Sequence, residues 1–508
     1  MINVLVGLLI LLLYWIRSVR RKDLPPGPTP LPLLGNAHQL FWAYLRGRSH
    51  VDVFLDWKKV YGNVYTIYLG PYHCVLICDY QTTFDAFIKS GEDHAGRNNT
   101  FIFNNPRNDL GVIFSKGPGW QEQRRFSLKT LRDFGFGRNI MQLRILEEFD
   151  YRAERLDKLF DDNDGQPLVM DPRSFFDLMI TSIINRILIG YRYDEEHMHL
   201  VHTMKHDLDK QFENLTIWDF GWITKHTYKL PLFKQRFEIS GRAQEVMFDI
   251  FREAVKRRRA ELDSGEHQLN FESGGDDYLD AYMIMLERKR EKGEFLGWFT
   301  DENLAVNLGD LWMAGNMTTL ETMQWFLVFC LNNPGIQEKM REEAFSITKG
   351  NRHILMTDRP YMPYTNAVVT EVLRCASIFN FNLIHETTHE TVVGGYLIPK
   401  KTTLTAQISV IMKDEENFKD PEKAYSHLVN LQDPELVKKV IPFSLGKRSC
   451  VGESLARAEM FLITSNFVQK YNFSNVDDAA PPTTEEIFCM LFQKRSKRLR
   501  MRIQPVVY

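Results

Sequence analysis

The sequence predicts a mainly α-helical fold with a minor β part, in which residues 37–508 form one large folding unit. From about residue 120 to residue 350, apolar residues recur at spacings of three and four, which is the periodicity of amphipathic helices. Short β-rich runs, Val64–Leu69 and Cys74–Cys78, precede this helical part. The chain contains no internal repeat and no low-complexity tract that would indicate a solenoid or a disordered arm.

Three later helices can be placed from their ends. A long helix is expected to start near Thr300, whose hydroxyl can cap it, while Asp301 and Glu302 suit the positive end of its dipole. A second helix is expected from about Tyr364 to Ser377, and a last one after Cys450. These helices, together with the periodic stretch, make helix the dominant structure.

The composition excludes two classes of protein. Of the 508 residues, 44% are hydrophobic and 25% are charged, which is ordinary for a globular protein. The formal net charge is -2, so no positive field favours a nucleic acid partner. Six cysteines are too sparse for the disulfide framework of a small secreted protein, and they fit a reducing compartment.

The N-terminus predicts a membrane anchor with a basic stop at residues 1–22. Met1–Ile16 is almost wholly apolar, and a basic cluster that begins at Arg17 follows directly. A cleaved signal peptide carries its charge before the apolar core, and here that order is reversed. The positive-inside rule then keeps the rest of the chain on the cytosolic side. Because the run is shorter than the roughly 20 residues of a full span, a cleaved leader or a buried helix remains an alternative.

A proline-rich linker at residues 23–36 joins this anchor to the globular part. Proline fixes its own φ and disfavours helix in the residue before it. Leu24–Pro32 is therefore expected to be a stiff, extended spacer.

One cysteine stands at a junction that favours a thiolate. Cys450 follows a short loop, and the segment after it has the pattern of a helix. A helix N-terminus stabilises negative charge, and Lys447 and Arg448 are expected to add to that effect. Gly446 permits a tight backbone bend, and Gly452 permits the close approach of a flat cofactor.

This segment resembles the haem-binding signature of the cytochrome P450 family, Phe-x-x-Gly-x-Arg-x-Cys-x-Gly. Phe443, Gly446, Arg448, Cys450 and Gly452 fill every fixed position of that pattern. The resemblance implies a cytochrome P450-like fold and a haem-thiolate catalytic domain in the globular part. It also implies that haem b is the cofactor, that Cys450 is the metal ligand, and that Phe443, Arg448 and Gly452 contact the cofactor.

Three more side chains are expected to contact the cofactor. Trp120 and Arg124 are four residues apart and therefore share one helical face. In the family this pair binds a haem propionate, and two donors on one face suit a carboxylate. His385–His389 fits the His-Glu-x-x-His pattern of zinc proteases, but its β-branched residues disfavour the helix that this chemistry needs. The resemblance instead places His385 on a strand, where it meets a propionate.

Ala314, Gly315 and Thr318 are the expected catalytic residues of the long helix. This stretch resembles the family's oxygen-activation segment, in which small residues admit O2 and substrate and the threonine relays protons. Met317 stands where the family has Asp or Glu, and a thioether carries no proton. Asp310 lies about two turns earlier, too far along the axis to replace that acid simply.

Glu371 and Arg374 resemble the family's structural ion pair. They are three residues apart on a predicted helix, so their side chains can meet. In the family the pair is buried and braces the scaffold beside the haem. A third member follows downstream, and His427 is the candidate here, although the usual aromatic residue and proline around it are missing.

The resemblance implies a monooxygenase that uses O2 and takes electrons from NADPH through a membrane-bound flavoprotein reductase, with cytochrome b5 as a second candidate donor. The expected location is the endoplasmic reticulum membrane, with the catalytic domain facing the cytosol. The expected substrate is small and lipophilic: a xenobiotic, a fatty acid or a steroid-like molecule. Met317 leaves two alternatives open, a reductase-independent haem-thiolate isomerase or dehydratase and a non-catalytic haem-binding protein.

The candidate residues of the substrate pocket are aromatic or aliphatic, and each of them could equally belong to the core. They are Phe101, Phe103, Trp312, Met313, Phe379, Leu383, Ile487 and Phe488. Basic residues near the cysteine could form a docking face for the reductase. These are Arg125, Lys129, Arg132, Lys438, Lys439 and Lys447.

Overall fold

A computed structural model confirms a mainly helical chain with short strands. It describes the chain except for residues 1, 20–22, 33, 71, 99, 138, 193–197, 217–218, 220–222, 422–432, 488–493 and 508. The helices are α1 (Ile2–Val19), α2 (Ala37–Leu45), α3 (His50–Tyr61), α4 (Tyr80–Phe84), α5 (Phe101–Asn104), α6 (Gly117–Arg132), α7 (Ile140–Asp161), α8 (Pro172–Ile189), α9 (Met198–Asn214), α10 (Pro231–Ser264), α11 (Tyr278–Glu291), α12 (Asp301–Asn332), α13 (Gly335–Thr348), α14 (Pro363–Ala376), α15 (Ile408–Met412), α16 (Pro434–Val437) and α17 (Glu453–Lys470). Short π-helical turns lie at Asp85–Lys89 and Asp133–Gly137, and 3-10 turns lie at Met356–Tyr361 and Gly446–Arg448.

The strands form one five-stranded sheet and three smaller ones. They are β1 (Val64–Leu69), β2 (Tyr72–Ile77), β3 (Gly96–Arg97), β4 (Leu168–Met170), β5 (His385–Glu386), β6 (Thr391–Val393), β7 (Tyr396–Ile398), β8 (Thr403–Ala406), β9 (Tyr471–Asn475), β10 (Glu486–Ile487), β11 (Arg495–Ser496) and β12 (Met501–Pro505). The main sheet has the order β1-β2-β8-β5-β3, and β2 runs parallel to β8. In this sheet Arg97 of β3 pairs with His385 of β5, so two positions distant in sequence become neighbours.

The long helix predicted to start near Thr300 is α12, and it forms the centre of the molecule. The Thr300 hydroxyl accepts a hydrogen bond from the Asn303 N–H at 3.1 Å, and Asp301 and Glu302 occupy the first turn. The helix packs against α8, α10, α14 and α17, and it is buried along most of its length. An element buried on all sides must be apolar all round, which explains its weak amphipathic pattern. The helices predicted near Tyr364 and after Cys450 are α14 and α17.

The linker is extended, as predicted, and it lies along the edge of the sheet. The N–H of Thr66 donates to the Pro26 carbonyl at 2.8 Å. Asn36 donates from its side chain to the Pro28 carbonyl at 3.1 Å and accepts from the Tyr68 N–H at 2.7 Å. This part of the linker is therefore fixed to β1. Among the residues that the structure describes, no helix combines the length and hydropathy needed to cross a membrane.

Candidate active site

Cys450 lies where the loop of the predicted signature turns into α17. The Cys450 N–H donates to the Phe443 carbonyl at 2.9 Å, which closes the loop. Gly446 has φ +77°, and a Cβ built there would lie 1.9 Å from the Phe87 carbonyl oxygen. Only glycine fits that position without strain. The Cys450 side chain remains accessible, whereas most of α17 is buried.

The charges around Cys450 differ from the sequence prediction. Although Cys450 keeps accessible surface, the protein atoms packed around its sulfur desolvate the thiol and raise its pKa to about 11, while the Gly452 N–H and the guanidinium groups of Arg124 and Arg457 lower it. Lys447, which was expected to help, pairs with Glu92 instead. The protein alone therefore favours the neutral thiol, and bonding to a metal cation would supply the positive charge that a thiolate needs.

A cluster of arginines without carboxylate partners lies near the cysteine. Arg97 and Arg448 are buried and Arg124 is half-buried. In the part of the chain that the structure describes, no carboxylate lies within ion-pair distance of any of the three. Burial and mutual repulsion lower the pKa of Arg97 to about 9 and that of Arg448 to about 7, and burial lowers the pKa of Arg124. Such a cluster stabilises an anionic ligand.

Two buried N–H donors, one on Arg448 and one on the neighbouring Trp120, have no hydrogen-bond acceptor among the described residues. Arg448 donates from Nε to the Ala95 carbonyl and from Nη2 to the Ser115 carbonyl, both at 2.9 Å, but its buried Nη1 has no acceptor. The buried Nε1 of Trp120 also has no acceptor, and the Arg448 guanidinium lies 3.4 Å from the centre of the Trp120 ring. An unsatisfied buried donor is costly, so these N–H groups indicate an absent acceptor.

Arg97 was missed by the sequence analysis. Its guanidinium donates to the carbonyls of Ile113 at 3.1 Å and Leu383 at 2.8 Å, which fixes it beside β5. No motif marks this arginine, because its position depends on the pairing of β3 with β5. Arg457 and its contribution at Cys450 were missed for a similar reason, since its role depends on the turn before α17.

His385 lies on β5, as the resemblance implied, and it is fully enclosed. Its Nδ1 lies 2.7 Å from the His94 carbonyl, and its Nε2 lies 3.2 Å from the Asn382 side-chain nitrogen. Burial and the charge of Arg97 lower its pKa well below the usual value, so the ring is neutral. Because His385 is in a strand and His389 is exposed beside Asp93, the two imidazoles do not share a helical face. This geometry rules out the zinc-protease interpretation.

α12 has accessible surface in one stretch of its middle part. Ala314 is exposed, and Leu311, Gly315 and Thr318 are partly exposed, whereas most other positions of this helix are buried. The Thr318 hydroxyl donates to the Ala314 carbonyl at 2.7 Å. Gly315 is partly exposed, and a Cβ there would lie 2.8 Å from Ile184 Cδ1. Its small size allows α8 to pack closely.

Neither Met317 nor Asp310 of α12 is placed to supply a proton at Thr318. Met317 is 8% exposed and belongs to the main hydrophobic core. Asp310 forms a fully buried ion pair with Arg107 at 2.8 Å and accepts the N–H groups of Val112 and Ile113 at 3.0 Å. All of these contacts tie Asp310 to the loop before α6.

The predicted pair of Glu371 and Arg374 is buried, as the resemblance implied. Two parallel hydrogen bonds of 2.8 and 2.9 Å join the carboxylate and the guanidinium. Arg374 also donates to the carbonyls of Met412 at 2.7 Å and Pro421 at 3.0 Å. The pair thus holds two distant loops against α14. His427, the candidate third partner, lies outside the described residues.

The residues predicted to line the substrate pocket lie in different environments. Trp312 is 1% exposed and donates to Asn185 of α8 at 2.8 Å, and Met313 also lies in the main core. These placements favour the core interpretation for both. Phe379 and Leu383 are half-buried, and the Leu383 carbonyl accepts a hydrogen bond from Arg97.

The aromatic residues before α6 form a separate cluster. Phe103 stacks on Phe114 with ring centres 4.8 Å apart, and Phe101 packs on Tyr228 at 5.0 Å. Phe114 was missed by the sequence analysis, since a lone phenylalanine in a loop carries no signal. Ile487 lies on β10, and Phe488 falls outside the described residues.

Comparison with known proteins identifies the class. Residues 25–500 match the cytochrome P450 family. The chain therefore belongs to the cytochrome P450 family and is a P450 monooxygenase, an oxidoreductase.

Individual relatives cover nearly the whole chain. The probable cytochrome P450 cyp-35D1 of Caenorhabditis elegans is 34% identical over 472 residues, which is 91% of each chain. Cytochrome P450 2C8 of Homo sapiens is 32% identical over 480 residues, again 91% of each chain. Cytochrome P450 2B2 of Rattus norvegicus is 32% identical over 489 residues, 94% of this chain and 92% of the relative.

The site fits the haem cofactor that the family implies. Haem carries two propionates, and the arginine cluster with Trp120 provides cations and N–H donors that lack an acceptor within the described part of the chain. Cys450 provides an accessible sulfur, the soft ligand that haem iron accepts. The accessible stretch at Ala314 leaves room beside a flat ring.

Proposed function

We propose that this protein inserts one atom of O2 into a small lipophilic substrate, using electrons from NADPH delivered by a flavoprotein reductase. The observation that carries the proposal is the cluster of Arg97, Arg124 and Arg448, which has no carboxylate partner among the described residues and lies beside an accessible cysteine. The two propionates of a haem would offset two of these three positive charges. Family membership supports the same chemistry.

Each side chain of the site has a role in the proposal. Cys450 is the iron ligand, and Arg124, with Arg457, stabilises its negative charge. The arginine cluster and Trp120 would bind the propionates and so hold the cofactor beside Cys450. When bound, haem supplies the activation of O2 and the transfer of one oxygen atom.

The substrate side is apolar in this proposal. The accessible Ala314 would leave space for the substrate beside the cofactor, and the partly exposed Thr318 would supply a hydroxyl there. Phe114, stacked on Phe103, and the half-buried Phe379 and Leu383 are suited to enclose an apolar molecule and exclude water. A charged substrate would find few partners in this lining, so the expected substrates are lipophilic.

We further propose that residues 1–22 anchor the protein in the endoplasmic reticulum membrane, that residues 23–36 are the linker, and that the catalytic domain, residues 37–508, faces the cytosol. The apolar sequence of α1 and the basic residues after it support this orientation. The reductase, or cytochrome b5, would dock on a basic stripe of α6. Arg125, Lys129 and Arg132 are exposed there, on the helix that also carries Arg124.

The test is the optical spectrum of the purified protein, reduced and under carbon monoxide, together with its activity. We expect the long-wavelength band of a thiolate-bound haem in the wild type and its loss in Cys450→Ser. With reductase and NADPH, we expect O2 uptake that a lipophilic substrate accelerates. Turnover of a lipid hydroperoxide without reductase would favour the isomerase or dehydratase, and a protein that refuses haem would overturn the proposal.

A further inference from the structure

Two aromatic residues are exposed on the loop between α11 and α12, residues 292–300. Phe295 is 89% exposed and Trp298 is 50% exposed. Phe299, the next residue, is buried and packs on Phe126 with ring centres 5.6 Å apart. Phe299 therefore belongs to the core, whereas the fold leaves most of Phe295 and half of Trp298 in contact with water. Exposed aromatic residues at neighbouring positions are typical of a surface that binds a partner.

The loop that carries this aromatic pair, Phe295 and Trp298, is held against α6. Lys289, near the end of α11, donates to the Phe295 carbonyl at 3.4 Å and pairs with Glu122 of α6 at 3.2 Å. Gln123 of α6 donates to the Trp298 carbonyl at 3.1 Å. Because the backbone at both aromatic residues is fixed in this way, little conformational entropy is lost when a partner contacts them.

These contacts place the aromatic pair at one end of the basic stripe of α6. A Cβ built on Gly119, in the first turn of α6, would lie 2.6 Å from the Trp298 ring. Glu122, which contacts the loop, lies three residues before Arg125 and seven before Lys129. Residues at these spacings share one face of a helix, so the loop and the stripe form one continuous surface.

The two parts of this surface provide different forces. The exposed cations of the stripe attract an acidic partner, while Phe295 offers apolar area that a partner can bury. An apolar centre beside charged residues is the usual anatomy of a protein interface. Insertion of Phe295 into a bilayer would bring the exposed carboxylates of Glu291 and Glu294 against the lipid headgroups. The surface therefore fits a protein better than a membrane.

α6 also leads to the proposed cofactor site. Arg124 of this helix belongs to the arginine cluster, and it donates at 2.6 Å to the carbonyl of Ser449, the residue before Cys450. A protein that binds along α6 is therefore close to the cofactor proposed to bind there. Among acidic proteins, an electron donor is the one that needs this position.

We propose that Phe295 and Trp298 are the apolar anchor of the interface with an acidic electron-donor protein. The inference rests on the proposed function and names the residues that hold the donor after the stripe of α6 has attracted it. Charges act mainly on the rate of association, whereas well-packed apolar contacts act mainly on the rate of dissociation. The anchor therefore sets the lifetime of the complex and carries no electron itself.

The first test measures binding without electron transfer. The full-length, haem-loaded protein is titrated with oxidised NADPH-dependent flavoprotein reductase. Central aromatic residues contribute most of the binding energy of an interface, so we expect Phe295→Ser to weaken binding roughly tenfold or more, through faster dissociation. Phe295→Leu keeps an apolar side chain and should recover most of the loss. Unaltered binding by Phe295→Ser would overturn the proposal.

Salt separates the anchor from the stripe. Ions screen the attraction between exposed charges but not apolar contact. The loss of affinity in Phe295→Ser should therefore be the same at low and at high salt, whereas the loss in Lys129→Glu should fade as salt is added. If the two losses faded alike, Phe295 would act through the charges around it, and the apolar anchor would be refuted.

The matched control is Phe41→Ser, which makes the same substitution at an exposed phenylalanine of α2. Phe41 is 55% exposed, and α2 packs against α3. This variant should bind the donor like the wild type, and equal weakening in Phe41→Ser and Phe295→Ser would overturn the anchor. A dimer of the wild type that Phe295→Ser dissolves, with donor binding unaltered, would assign the surface to a second copy of the chain and also overturn it.

Every variant is first checked for the reduced carbon monoxide spectrum, produced with dithionite so that no donor protein is needed. A normal spectrum with unaltered donor binding in Phe295→Ser refutes the anchor alone. A missing spectrum in the wild type refutes the proposed function.

Discussion

Buried arginines occur in two kinds of environment in this protein. Arg107 and Arg374 each contact a buried carboxylate at 2.8 Å, and their hydrogen bonds join distant segments of the scaffold. Arg97 and Arg448 are equally enclosed but donate to main-chain carbonyls, and burial lowers their pKa values. A charge that is neutralised within the fold holds the fold together. A charge that the fold leaves without a counter-charge indicates the place of a ligand.

The largest effect is expected where a complete pair is broken. Glu371→Ala leaves the guanidinium of Arg374 buried without a counter-charge, which costs roughly 3–5 kcal/mol of the free energy of unfolding. We expect a much lower thermal midpoint and little soluble protein. The double variant Glu371→Leu with Arg374→Met removes both charges and should recover part of the loss. If the single and double variants were equally unstable, the ion pair would not be the cause.

A smaller change in stability, of opposite sign, is expected when an arginine of the cluster is replaced. Arg97→Leu removes a buried cation that has no carboxylate partner, so the thermal midpoint of the haem-free protein should rise or stay constant. Haem should be lost faster, because a charged hydrogen bond contributes about 1.5–3 kcal/mol, which corresponds to roughly 10- to 100-fold. Transfer of haem to a scavenging protein measures this rate.

The control for that comparison is Arg252→Leu. Arg252 pairs with Glu302 on the surface, and such pairs contribute about 1 kcal/mol or less. Haem release from this variant should match that of the wild type. If Arg97→Leu destabilised the haem-free protein, Arg97 would be a scaffold residue. The distinction between arginines that pair with a carboxylate and arginines that do not would then be lost.

The smallest effect on stability is expected for the exposed stripe of α6. Lys129→Glu should leave the thermal midpoint unchanged but slow the reduction of the haem by the reductase several-fold at low salt. The difference should fade as salt screens the interaction, since exposed charges act over about 10 Å at 0.1 M ionic strength. Lys256→Glu on α10 is the matched control, because Lys256 is 74% exposed and lies outside the stripe. Equal slowing in both variants would argue against docking on α6.

Much of the site could be predicted from local patterns. The signature around Cys450 is contiguous, and both the turn at Gly446 and the following helix α17 depend on residues within that segment. The cap at Thr300 and the pair of Glu371 and Arg374 are also local, because helical geometry brings residues three apart together.

Other parts of the site could not be predicted, because they depend on contacts between distant segments. Lys447 was expected to stabilise the thiolate, but its side chain pairs with Glu92. Gly315 was expected to admit oxygen, and the structure adds that a Cβ at this position would lie close to Ile184 of α8. In both cases the environment of the residue is set by a neighbour far away in sequence.

The sequence by itself determined the family, the cysteine proposed to bind the cofactor, and the absence of an acid directly before Thr318, since each of these depends on contiguous residues. Only the tertiary structure decided which buried arginines lack a carboxylate partner among the described residues. Arg97 reaches the site through the pairing of β3 with β5. The physical reason is that burial and counter-charge are properties of the packed chain, and no local pattern of residues contains them.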